Sequence, residues 1–340
     1  MQKVLVKDSG PLTTVQDLGR FGYQKFGMPT AGAMDKFSYK IANLLVDNKE
    51  DDAVLEYTFK GPNLKFEEDA IIAVTGAENT VKINGKKIKM WKSHYIEKGS
   101  TLEISSAQKG LRGYISFKSG FDLPEIMGSK STYLRANLGG YEGRKLKNGD
   151  VLEINKKISR DNYTLKSLEK KYRPDFSQRN IRVILGPQDD SFSKEGISKF
   201  LKDEFKVSSQ ADRMGYRLEG PKIDHKDGAD IITDGIAEGS IQVSGNGKPI
   251  IMLADSQTTG GYTKITTVIT VDIDIVSQKK PGDLITFEKI DIKTAQKLFK
   301  KRKEIYESIK KQNKKLTNSK HYNIRVSGEN YEVELREIIQ

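Results

Sequence analysis

The sequence predicts a mainly β protein with a few helices: two tandem β-barrels or sandwiches, then a C-terminal helix and hairpin. Three observations lead there. Short apolar runs alternate with glycine, asparagine and aspartate turns over two separate stretches. A charged stretch without that pattern divides them. The third is an internal echo, in which "KGPNLKFEEDAII" resembles "EGPKIDHKDGADII" and sets Gly61-Pro62 against Gly220-Pro221. Duplication of one barrel would account for it, and so would chance similarity among turn-plus-strand segments.

Residues 1–155 carry the first series, including "QKVLVKD", "AVLEYTF", "AIIAVTG", "TLEISSA", "GYISFKS" and "VLEINKK". "INGK" at 83–86 signals a hairpin, because Asn-Gly suits a type I′ turn. One helix is expected near "MDKFSYKIANLLV", where Phe37, Ile41, Leu44 and Leu45 recur at helical spacing. "SQADRMGYRL" is the shorter counterpart of that segment in the second half. Residues 156–178, ending "KKYRPDF", are expected as a linker. Residues 179–290 resume the strand pattern with "IRVILGP", "ADIITDG", "SIQVSG", "PIIMLAD", "KITTVITVDI" and "DLITFEK". Residues 291–340 predict a basic amphipathic helix over roughly 294–316, with Leu298, Ile305, Ile309 and Leu316 on one side. "YNIRVSGENYEVELREI" then reads as a hairpin.

Composition narrows the function classes. The chain has 340 residues, 36% of them hydrophobic, enough for a sizeable core, and no cysteine. That excludes a disulfide framework, a thiol nucleophile and a cysteine-ligated zinc site. "MQKVLVKDSG" has no apolar leader core and no run approaches a membrane span, so a cytoplasmic protein without a membrane partner is expected. The formal net charge is +12, and Lys289 to Lys320 alone holds twelve Lys/Arg against three Asp/Glu. The rest is nearly balanced and lysine far outnumbers arginine, so no nucleic-acid partner is expected. "SGNGKPI" places Pro249 where a phosphate loop needs a hydroxyl opening a helix. His94, His225 and His321 stand far apart in no metal-ligand spacing, and no GxSxG elbow accompanies them.

What remains is a set of polar, glycine-rich segments that a barrel does not need for stability. "GPLTTVQDLGRFGY" carries Thr13, Thr14, Gln16, Asp17 and Arg20, and "GMPTAGAMDKFSYKIAN" carries Asp35 and Asn43. "GSKSTYLRANLGGYEGR" carries Ser131, Thr132 and Arg135, "SSQADRMGYRL" Asp212 and Arg213, and "EGSIQVSGNG" Gln242. "DSQTTGGYTKI" holds Asp255, Gln257, Thr258, Thr259 and Tyr262, far more than a minimal turn requires. Glycine lets a backbone approach a ligand and show its N–H groups. Amides, hydroxyls and arginine suit a carbonyl, carboxylate, amide or phosphate. The same features also suit loops that cap barrel ends.

Together, "TTVQDLGRFGYQKFGMPTAGAMDKFSYKIANLLVDN", "GSKSTYLRANLGG", "ADRMGYRLEGP", "GSIQVSGNGKPIIMLADSQTTGGYTKI" and "PGDLITF" resemble the biotin-dependent carboxyltransferase family. This is the family of allophanate hydrolase subunit 2, also called the KipA or PxpC family, and the resemblance runs from about residue 3 to residue 288. It implies two tandem cyclophilin-like β-barrel domains, at 1–155 and 179–290. It also implies work as the C subunit of an ATP-dependent 5-oxoprolinase, which with its A and B subunits hydrolyses 5-oxo-L-proline to L-glutamate. ATP would be shared with those partners, Mg²⁺ can accompany it, and the small-molecule substrate would be a lactam or amide. Asp17, Asp35, Asp212 and Asp255 would orient groups, hold Mg²⁺ or move protons. Gln16, Arg20, Arg135, Arg213, Gln242, Gln257, Thr258, Thr259 and Tyr262 would bind substrate or phosphate. The family supports two other roles: a carboxyltransferase subunit in urea or allophanate metabolism, and a non-catalytic regulator that binds its partner subunit. Two departures stand out. Thr233-Asp234 replaces the family's frequent Ser-Glu, which shortens the acid. "IKMWKS" around Met90 is not the Ala-Met-Lys-Met hairpin that carries biotin, so no biotin is attached to this chain and any would ride on another protein.

Overall fold

The computed structural model describes residues 2–155, 163–315, 320–327 and 329–335. The first half is built from two antiparallel sheets. In one, the strand order is Val151–Ile154, Gln2–Asp8, Asn63–Phe66, Thr101–Ile104, Val81–Ile83 and Lys86–Ile88. In the other it is Leu12–Gln16, Val54–Thr58, Lys109–Phe117, Ala70–Glu78 and Ser93–Ile96. Alternate residues of both sheets, among them Val6, Leu64 and Leu102 from one and Leu55, Val74 and Phe117 from the other, enclose a single apolar core. The Asn-Gly hairpin forms as expected: Ile83 pairs with Lys86, and Asn84 and Gly85 take φ of 49° and 77°.

The second half closes into a seven-stranded barrel. Around it run Asn180–Leu185, Lys264–Val268, Ser240–Val243, Pro249–Met252, Gly215–Glu219, Phe205–Ala211 and Leu284–Lys289. An odd number of strands cannot alternate direction all the way round a closed ring. The one parallel pair falls between the barrel's first and last strands in sequence, Asn180–Leu185 and Leu284–Lys289. Phe200, Phe205 and Phe287 stack inside with Ile181, Val243 and Ile265. Each fully buried side chain of this size contributes about 1.5–3 kcal/mol, so these two cores hold the fold and leave the polar loops free for other work.

The described residues include four α-helices: α1 (Lys36–Leu45), α2 (Lys194–Lys202), α3 (Thr270–Ser277) and α4 (Ile292–Lys315). Asp35 caps α1 by accepting from Ser38 N (2.9 Å). Phe37, Ile41 and Leu45 pack on Ile71, Trp91, Leu168, Phe176, Tyr306 and Ile309. Helix α3 corrects the strand expected through "KITTVITVDI", because the strand ends at Val268. Its β-branched run favours a strand by propensity, but tertiary contacts win. Asp272 grips the Arg182 backbone N–H and guanidinium, and Asp274 accepts from the first N–H groups of α1.

"SQADRMGYRL" is likewise no counterpart of the α1 segment, since it forms two strands, Phe205–Ala211 and Gly215–Glu219, and their turn. Gly61-Pro62 leads into a strand, whereas Gly220-Pro221 leads into irregular chain before Asp230–Gly235. Of the segment at 156–178, the described part lies against the first half. Thr164, Lys166, Leu168 and Phe176 are buried, and the Lys166 carbonyl accepts from Ser93 N (2.8 Å). Strands Lys320–Val326 and Glu329–Leu335 pair as the terminal hairpin, and Leu316 lies outside the described residues. Among the described residues no helix is long and apolar enough to cross a membrane.

Candidate functional site

Asp17 follows the strand Leu12–Gln16, and its carboxylate organises a distant loop. It accepts from Gly19 N (2.8 Å), Ser129 Oγ (2.7 Å), Lys130 N (2.5 Å) and Ser131 Oγ (2.5 Å). Gln16 Nε2 donates to the Thr132 carbonyl (3.1 Å) and Thr132 N to the Val15 carbonyl (2.9 Å). The segment 129–140 is thereby laid beside 12–20. The guanidinium of Arg20 lies in that seam, 0% exposed. Its Nη2 donates to the Ser131 carbonyl, while Nε and Nη1 are buried without a partner. A buried polar group is normally satisfied, and leaving a charged one open is costly. Burial lowers the Arg20 pKa, an effect that Asp17 and Asp255 offset only in part. The first Gly-Gly-Tyr explains itself here. Gly139 has φ +70°, and a Cβ on it would overlap both Arg20 Nη2 and the Ser131 oxygen.

The second half brings Asp255 and Arg213 to the same junction. They form a two-pronged pair, Nε to Oδ2 and Nη2 to Oδ1, each 3.0 Å. Arg213 also donates to the Gly32 carbonyl (2.6 Å) and to Glu56, both in the first half. Ala31 N donates to the Ala254 carbonyl (3.0 Å). Burial alone would lower the Arg213 pKa, but Asp255 and Glu56 reverse it and hold the group charged. Glu56, buried at 2%, accepts in addition from Met34 N and Tyr114 OH, both 2.9 Å. The sequence reading missed Glu56, although a lone acid inside the apolar run "AVLEYTF" is a usable signal.

The remaining expected residues part into other roles. Asp35 is fully buried, caps α1 and accepts from Gln278 Nε2 (2.8 Å). Asp212 is exposed and accepts from Met214 N (2.7 Å) and Gly215 N (3.2 Å), an ordinary side-chain-to-backbone turn. Arg135 is exposed on the short helical turn Leu134–Ala136. Gln257 and Thr259 are exposed, Thr258 is half-buried with its carbonyl accepting from Ile236 N (2.9 Å), and Tyr262 is 39% exposed. These residues belong to a flap in which Thr259–Tyr262 pairs with Asp230–Gly235.

Beneath the flap, Gln242 Nε2 donates to the Tyr262 carbonyl (3.2 Å), and a Cβ on Gly260 would stand 2.8 Å from that nitrogen. Lys264, also missed, is buried and reaches Asp234 on the flap (2.8 Å). The shortened acid of Thr233-Asp234 therefore serves as its counter-ion. The four aspartates do not fit a magnesium site, because the carboxylates of Asp17, Asp35 and Asp255 are taken up by protein donors and Asp212 ties its own turn. Among the described residues no three or more metal-ligating side chains gather.

Comparison with known proteins matches residues 26–289 to the family model described as carboxyltransferase domain, subdomain A and B. A relative from Haemophilus influenzae, the C subunit of its 5-oxoprolinase, is 36% identical over 293 residues, 86% of this chain and 93% of that one. Its namesake from Escherichia coli is 33% identical over 301 residues, 88% and 96% of the two chains. Among solved structures, the K. lactis urea amidolyase superposes with a TM-score of 0.86 at 31% identity. The superposition covers 90% of this chain but 20% of that one, so this chain spans about a fifth of the urea amidolyase.

Proposed function

The chain belongs to the carboxyltransferase-domain family, subdomains A and B, and from that premise we propose that it is the C-type subunit of an ATP-dependent 5-oxoprolinase. The observation that carries the reading is Arg20, a buried guanidinium with donors to spare. 5-Oxoproline brings a carboxylate that answers such a group, whereas neutral urea brings none. In this reading Arg20 receives the substrate carboxylate, and a small movement of the segment 20–31 admits it. Gln257 and Thr258 on the flap side approach the lactam, whose ring opening needs positioned donors more than a side-chain nucleophile. The Asp255–Arg213 pair is a fixed dipole beside them. In this reading ATP is shared with the partner A and B subunits, because the sequence holds no phosphate loop and Asp17, Asp35, Asp212 and Asp255 are already engaged.

The test is glutamate release from 5-oxoproline by this chain co-expressed with the A and B subunits, with and without ATP. Arg20→Ala is expected to lower turnover about 10²-fold while the assembly still forms. Wild-type turnover in that variant would sink the reading. The likeness in fold to urea amidolyase supports a second reading, carboxyl transfer to urea from a biotinylated donor protein. Turnover with that donor, and none with 5-oxoproline, would put it first.

A further inference from the structure

Helix α4 lies outside the stretch matched by the family model, which ends at residue 289. It is nevertheless firmly held. Tyr306 and Ile309 are buried against α1, Arg302 pairs with Asp274 (3.0 Å) over the Phe37 ring, and Lys310 pairs with Glu50 (3.0 Å). Its outer face differs from a merely solvated one. Lys293, Lys297, Lys300, Lys301 and Lys303 are exposed there, and among the described residues none of them forms an ion pair within 4 Å. Asp291, which caps the start of the helix by accepting from Thr294 N (2.8 Å), and Glu304 are the exposed acids near them. Ile292 and Phe299, 61% and 52% exposed, lie seven residues apart on one stripe of the helix that borders the lysine face, between it and the buried Tyr306.

We propose that this face docks an acidic protein surface with an apolar recess for Phe299, on a partner chain of the assembly. It rests on the function proposed above only for the identity of that chain. Charge complementarity selects an acidic partner. Nucleic acid suits the face less, because its cations are lysines, without the planar fork of arginine, and an exposed apolar stripe borders them. A membrane suits it less too. The helix spends its main apolar side on the protein body and cannot lay that side into lipid.

The direct probe is poly-L-glutamate, titrated against the whole chain at low and at physiological ionic strength. The variant K293E/K297E/K300E/K301E is expected to bind it about tenfold more weakly with a flattened salt dependence. The control K65E/K82E/K86E/K87E, reversing four exposed lysines of the first half, should lose little. Equal loss in both variants would overturn the proposal, leaving only diffuse charge. So would tighter binding to phosphatidylglycerol vesicles or duplex RNA than to poly-L-glutamate under the same conditions. With the A and B subunits, Phe299→Ala and the α4 variant should both weaken assembly, while Arg20→Ala leaves it intact. If the wild-type chain does not assemble with those subunits, the proposed function fails, and the polyglutamate titration still decides this proposal.

Discussion

At the scale of single residues, the site is a study in which polar groups are satisfied. Glu56 is held by buried donors on both halves, and removing it leaves Met34 N, Tyr114 OH and one arm of Arg213 without their acceptor and takes the nearest counter-charge from the buried Arg112. Glu56→Ala is expected to destabilise by about 3–5 kcal/mol, read as a lowered urea midpoint, and Glu56→Gln by clearly less. Gly139→Ala should also destabilise, by at least about 1 kcal/mol, since the new methyl both strains a left-handed backbone and meets the Arg20 guanidinium. A midpoint unchanged from wild type would show that the seam yields there. Much of this is legible in the sequence: Gln16, Asp17, Arg20, Arg213 and Asp255 are all marked by their glycine-rich surroundings. Their division of labour is not. Whether Asp17 is a free acid or a knot for residues 129–131 depends on a segment more than a hundred positions away, and no local pattern carries that.

At the scale of elements, the helices are tied to one another through buried carboxylates. Asp274 on α3 accepts from the start of α1 and from Arg302 of α4. Burial, then the neighbouring Asp35, push its pKa up to about 7. An unfolded aspartate titrates near ~3.9, so between about 4 and about 7 the folded chain holds a proton that unfolding releases. Stability from this group therefore falls as pH rises through that window. Asp274→Asn is expected to flatten the decline, and an unaltered slope of urea midpoint against pH would refute the assignment. Ile309→Ala, at the α4 contact, should cost about 2–5 kcal/mol by the same measurement. Helix α1 is readable because its period and cap agree. Helix α3 is not, because its β-branched sequence points to a strand and residues distant in sequence, among them Arg182, the start of α1 and Arg302 of α4, hold it as a helix.

At the scale of the whole molecule, the two halves share one polar junction. Arg213 reaches Glu56 and Gly32, and Arg112 reaches Tyr216 and the Ser277 carbonyl. Wild type is expected to unfold as a unit, so Trp91 fluorescence, reporting the first half, and circular dichroism should give one coincident urea transition. Arg213→Ala should separate the two curves, and continued coincidence would mean the apolar contacts alone couple the halves. The barrel's closure bears on how such a chain is made. Its first strand waits for its last, so until Leu284–Lys289 leaves the ribosome, Asn180–Leu185 and Phe205–Ala211 both present bare edges. A message cut short between residues 268 and 284 would therefore yield an adhesive product rather than a smaller folded one, and the final strand acts as the quality check on synthesis.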